Sequence, residues 1–137
     1  MLKNAARMAC GIAVVFSLAS CGGGGDIAGD SSEFAVSPKE NKLDLPAGSR
    51  CRDAAGAPPV VVTIIGGQPP YRIVNSSPEA LVIDKTEATG KDPQFKVSYF
   101  PNAVLCVNPG VVTVLDYHSQ VATFEYSVEI EKADATQ

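Results

Sequence analysis

The chain has 137 residues, with 11 Lys and Arg, 15 Asp and Glu, one His and no Trp. That length bounds it to one domain of ordinary size with a core of its own. The acidic balance, without a basic cluster, excludes the usual footprint of nucleic-acid or anionic-lipid binding.

Lys3 and Arg7 precede an unbroken run of apolar and small residues from Met8 to Leu18. A charged start, a short apolar stretch and small residues before a cut read as a secretory signal. Those eleven residues fall short of the roughly 20 that span a bilayer, and no stop-transfer charge flanks them. The run closes on Leu18-Ala19-Ser20-Cys21 and opens onto Gly22 to Gly25. These four residues resemble the lipobox of bacterial lipoproteins. The resemblance implies that residues 1–20 are removed and that Cys21 becomes the lipidated first residue of the mature chain. It also implies attachment to the cell envelope through that lipid. Gly22 stands where an aspartate goes with inner-membrane retention in that family, so the outer membrane is implied if the cell is Gram-negative. The competing reading is a plain secretory signal, which leaves a cysteine at the cut unexplained.

Processing changes two counts. Lys3 and Arg7 leave with the signal, so nine Lys and Arg face 15 Asp and Glu, a net charge of about −6. Of the four cysteines, Cys10 is discarded and Cys21 carries lipid. Cys51 and Cys106 remain, in a compartment where disulfides form, and are expected to pair. Two free thiols or a metal site are the alternatives. Two cysteines with no nearby histidine make a poor zinc site, and a catalytic thiol wants a base beside it.

Residues 21–33 read as a flexible Gly-rich tether with a typical end-to-end reach of about 20 Å. The folded part is expected over 34–131, with a disordered polar tail at 132–137. Phe34 to Pro38 reads as a short strand ended by proline. Lys42 to Leu45 alternates, with Leu43 and Leu45 on one face, and Pro46-Ala47-Gly48 turns the chain. Residues 49–58 read as irregular. Val60 to Ile65 is a β-branched run, apolar on both faces, which predicts a central and well-buried strand. Gly66-Gly67-Gln68-Pro69-Pro70 is a dense turn signal, followed by extended stretches at Tyr71–Val74 and Leu81–Ile83. Thr86 to Pro93 reads as polar loop. Phe95, Val97 and Tyr99 alternate inward, Pro101 to Pro109 is a loop, and Val111 to Leu115 is another buried strand. Asp116 to Gln120 is a turn. From Thr123 to Ile130, Phe124, Tyr126, Val128 and Ile130 face the core. About seven short strands with turns between them predict an all-β fold, an immunoglobulin-like antiparallel sandwich, with a small closed barrel as the rival.

The stretch Val60 to Ile83, VVVTIIGGQPPYRIVNSSPEALVI, resembles the front half of bacterial immunoglobulin-like repeats, in which a strand runs into Gly-Gly-x-x-Pro-Tyr and then a second strand. The segments FKVSYF, VVTVLD and FEYSVEI resemble their later strands. The chain departs from the pattern after Asp116, where Tyr117-His118-Ser119 replaces the usual glycine turn. The resemblance implies a sandwich with an extracytoplasmic, non-catalytic role, and fixes no ligand.

Candidate chemistry is sparse. Asp116-x-His118 suggests two metal ligands but supplies no third, and an Asp capping a turn accounts for it. Asp84, Glu87 and Asp92 share a loop without calcium-loop spacing. No Gly-x-Ser-x-Gly elbow is present. Tyr71 is either a core residue under the turn or an exposed aromatic anchor for a partner. The sequence thus points to a lipid-anchored, non-enzymatic interaction or structural module with no cofactor beyond the lipid on Cys21. A small-ligand or glycan binder using the loop ends is the other reading.

Overall fold

The computed structural model describes residues 33–134. The segment 1–20, Cys21 and nearly all of the tether lie outside the described residues, as do the last three positions. The strands are β1 (Ala35–Ser37), β2 (Glu40–Leu45), β3 (Val60–Ile65), β4 (Tyr71–Asn75), β5 (Leu81–Ile83), β6 (Glu87–Ala88), β7 (Gln94–Tyr99), β8 (Gly110–Leu115) and β9 (Val121–Ile130).

They form two separate sheets rather than a closed barrel, ordered β1-β3-β7-β5 and β2-β9-β8-β4-β6. That division is a β-sandwich, with two departures from the expected immunoglobulin-like antiparallel fold. Among the described residues nine strands replace about seven, and one pair is parallel: β2 runs alongside β9, with Glu40 opposite Glu125 and Leu45 opposite Ile130. Pro38 is the reason that β1 and β2 are separate strands. It cannot donate a ladder hydrogen bond, so the chain leaves β3 after Ser37 and resumes against β9 in the other sheet.

The inner faces follow the alternation of the sequence. Phe95, Val97 and Tyr99 of β7 are buried, as are Phe124, Tyr126 and Val128 of β9. They meet Val62, Ile64, Ile73, Val112 and Val114 in one continuous core. β3 corrects an expectation. It is central in its sheet, but only Val60, Val62 and Ile64 are turned inward, while Val61 and Ile65 lie on an open outer face. A sandwich covers each sheet on one side only, so a doubly apolar strand leaves half its side chains in water. Two stretches read as irregular also hold structure. Cys51–Gly56 is a 3₁₀ helix that buries Ala54, and within the supposed polar loop the two-residue β6 pairs with β4. On the outside, Lys42 reaches Glu129 at 2.9 Å and Asp44 at 3.8 Å, pinning β2 to β9.

Cys51 and Cys106 are joined in a disulfide. The bridge connects the β2–β3 and β7–β8 connections, both of which cross between sheets at the same end of the sandwich. It closes a loop with a sequence separation of 55, for which chain entropy gives roughly 4 kcal/mol of stabilisation. Replacing both cysteines with alanine should lower the unfolding free energy by about that amount in urea titrations, with the strand signature in circular dichroism unchanged. A loss below about 1 kcal/mol would show that the two crossings are held without the bridge.

Candidate functional site

The lipobox residues Leu18, Ala19, Ser20 and Cys21 lie outside the described residues. Of the others singled out by sequence, Cys51 and Cys106 come together, and Tyr71 goes into the core. It is 5% exposed, its hydroxyl donates to the Gly66 carbonyl at 2.8 Å, and Phe34 stacks on it at 6.1 Å between ring centroids. Burial pushes the hydroxyl's pKa up, and the Asp116 charge adds to that. Tyr71 is therefore not the exposed anchor that its place after Pro69-Pro70 allowed. It begins β4, where the alternation turns position 71 inward with Ile73.

Around it, two turns are laced together at one end of the sandwich. Gly66 and Gly67 both have φ of 67°, and a Cβ on Gly67 would meet the Phe34 ring at 2.5 Å. Only glycine fits that approach. Beyond it, the Gln68 amide donates to Asp116 Oδ2 at 3.0 Å, and the Tyr117 amide donates back to the Gln68 carbonyl at 2.8 Å. The Gln120 amide donates to Asp116 Oδ1 at 2.8 Å, and the Ser119 amide to the Asp116 carbonyl at 3.0 Å. Asp116 is 6% exposed. Burial alone would raise its pKa, but the amides of Gln120, Gln68 and His118, with the nearby His118, outweigh burial and hold it below the usual carboxylate value.

Each carboxylate oxygen is thus committed to a backbone amide. Asp116-x-His118 is turn chemistry: His118 is exposed, and its ring meets the Tyr117 ring edge-on at 5.2 Å. A shallow cleft of about 220 Å³ lies beside them, lined by Pro70, Arg72, Glu87, Tyr117 and Ser119. The three loop acids have separate roles. Asp84 accepts the Lys96 amide at 2.7 Å, Glu87 sits on β6, and Asp92 takes a left-handed backbone with φ of 52°. Among the described residues, no group of three or more His, Cys, Asp and Glu side chains is placed to hold a metal ion. Nor is any described helix long and apolar enough to cross a membrane.

The opposite end holds the disulfide and an open cleft of about 660 Å³, lined by Arg50, Arg52, Asn102, Ala103, Val104 and Ile130. Val104 is 87% exposed and Leu105 73%. Their loop is nevertheless tied down. The Tyr99 hydroxyl donates to the Leu105 carbonyl at 3.0 Å and accepts the Val107 amide at 3.2 Å, and the Val128 amide donates to the Val107 carbonyl. Sequence marks 101–109 only as a loop carrying Cys106. The signal within it is Val104-Leu105, two large apolar residues in a proline-bounded loop with no strand to place them in.

The lowered pKa of Asp116 makes the stability of the fold depend on acid. Because folding depresses it, the unfolded chain takes up the proton first as pH falls. The stabilisation is complete above the unfolded value of about 3.9 and is lost as pH drops through the folded value. Asp116→Asn should lower the urea midpoint at pH 7 and flatten the acid-side fall of stability. Glu129, whose pKa is lowered by its hydrogen bonds to Lys42 and Asn108, should supply the slope that remains. An unchanged acid limb in the variant would show that the carboxylate charge contributes nothing to folding. Comparison with protein-family models and with curated proteins finds no match to this chain.

Proposed function

We propose that the protein is a lipid-anchored component of the bacterial cell envelope, held through Cys21 in the outer membrane if the cell is Gram-negative, and that its sandwich domain is a non-enzymatic interaction or structural module. The observation that carries this reading is Leu18-Ala19-Ser20-Cys21, placed directly after a charged start and a short apolar run. A disulfide in the folded part fits export to an oxidising compartment. So does the position of the first strand, which begins at Ala35, shortly after a Gly-rich stretch of the length expected for a tether.

The non-enzymatic part of the reading is supported by how the polar groups are used. The acid nearest the lone histidine is spent on amides, so it is not poised as a base. The pinned loops at the disulfide end instead present side chains in the way that a rigid scaffold presents a contact surface.

Intact-mass analysis of the protein from its own cells should give a chain starting at Cys21 and heavier than its sequence by a lipid increment. It should sediment with membranes, and Cys21→Ala should remove both the increment and the membrane association. A mature mass equal to the bare sequence would sink the anchor.

A further inference from the structure

The two ends of the sandwich are not equivalent with respect to the anchor. Ala35 stands opposite Ile65, so β1 starts at the end where β3 runs into Gly66. The chain before Glu33 therefore joins the domain beside the Asp116 turn, where Phe34 packs on Tyr71. The disulfide end lies at the other extreme. β9 spans the two in ten residues, about 33 Å at ordinary strand rise. With Cys21 as the anchor, the tether enters the domain at the end opposite the disulfide.

The disulfide end has a composition of its own. Val104 and Leu105 are the two most exposed large hydrophobics among the described residues. Across the cleft stand Arg50 and Arg52, both exposed and neither in an ion pair among the described residues. Asp53, the acid closest in sequence, is occupied by the Arg50 amide at 2.7 Å. Among the described residues lining the cleft, these two arginines are the charged ones, beside exposed aliphatic side chains and on a mature chain that is otherwise acidic. The backbone beneath them is held by the disulfide and by Tyr99, so binding there would cost little ordering of the loop.

We infer that this end docks an acidic, aliphatic segment of a partner protein, with carboxylates on Arg50 and Arg52 and apolar side chains over Val104 and Leu105. The inference rests on the reading of the chain as an anchored interaction module. Charge complementarity selects the partner's sign, and Arg guanidinium groups suit carboxylates in particular. The chain's own tether is acidic as well, but it does not reach. Asp26 stands seven residues before Glu33, at most about 25 Å of extended chain, which is shorter than β9.

The test places a photo-crosslinking amino acid at position 104 or 105 of the full lipidated chain, in the cells that make it. Positions 117 and 82 report on the opposite end and on an outer sheet face. Positions 104 and 105 should give one discrete protein adduct whose crosslinked peptide carries Asp or Glu beside aliphatic residues. Arg50→Glu with Arg52→Glu should reduce that adduct about tenfold or more, with the disulfide and melting temperature retained. If the double Glu variant fails to fold, Arg50→Gln with Arg52→Gln decides in its place. Adducts confined to 117 or 82 would overturn this surface and leave the module reading standing. No protein adduct at any of the four positions would overturn both. A lipid or glycan adduct, an adduct to a second copy of the chain, or one insensitive to the arginines would overturn the acidic partner.

Discussion

The structure depends on each strand having one face to bury. Two sheets with alternating side chains can hide their apolar faces only against each other. Tyr126, Phe124, Phe95, Val62, Val97, Val112 and Val114 fill the space between them and are almost completely shielded. A sandwich built this way must carry the chain from one sheet to the other several times. Each crossing exposes backbone groups that no ladder satisfies. The character of the molecule is decided at those crossings.

The two ends solve that problem with different chemistry. At one end a carboxylate does the work: Asp116 collects amides from two turns distant in sequence, and Gly67 lets the Phe34 ring close over them. At the other end a covalent bond joins two crossings, and the Tyr99 hydroxyl holds one of them to β7. Among the described residues, no buried side-chain nitrogen or oxygen is left without a hydrogen-bond partner. Acid is expected to act at the polar end through Asp116 and at the disulfide end through Glu129, whereas reductant acts at the disulfide end alone.

Local pattern made much of this legible. The alternation of β7 and β9 and the turn at Gly66-Gly67 follow from residue type and spacing, while the pairing of Cys51 with Cys106 was expected only through the lipobox resemblance, which sets Cys10 and Cys21 aside. Three features were not legible, each for a physical reason. β6 is two residues long, too short for any period to show, and it exists because β4 offers it an edge. The open outer face of β3 is hidden because an apolar run reads the same whether one side is covered or both. The parallel pairing of β2 with β9 depends on where the two ends of the domain meet, which no local window contains. At the sites the balance was similar. Asp116 as a capping residue was readable from its turn, while the burial of Tyr71 and the grouping of Arg50 and Arg52 with Val104 needed the fold.

The pairing of β2 with β9 also bears on the order in which the domain is made. A chain made from its N-terminus delivers β2 long before β9. Among the described residues, β2 is an edge strand of its sheet and β9 is its only ladder partner. It must therefore wait, with its backbone donors and acceptors in water, until the last ten-residue strand arrives between it and β8. Contacts of such high sequence separation slow folding, because loop entropy is lost before they form. During that wait the charges of Glu40, Lys42 and Asp44 guard an open edge against pairing with other chains. The alternation of charge along β2 protects the unfinished protein as well as solvating the finished one.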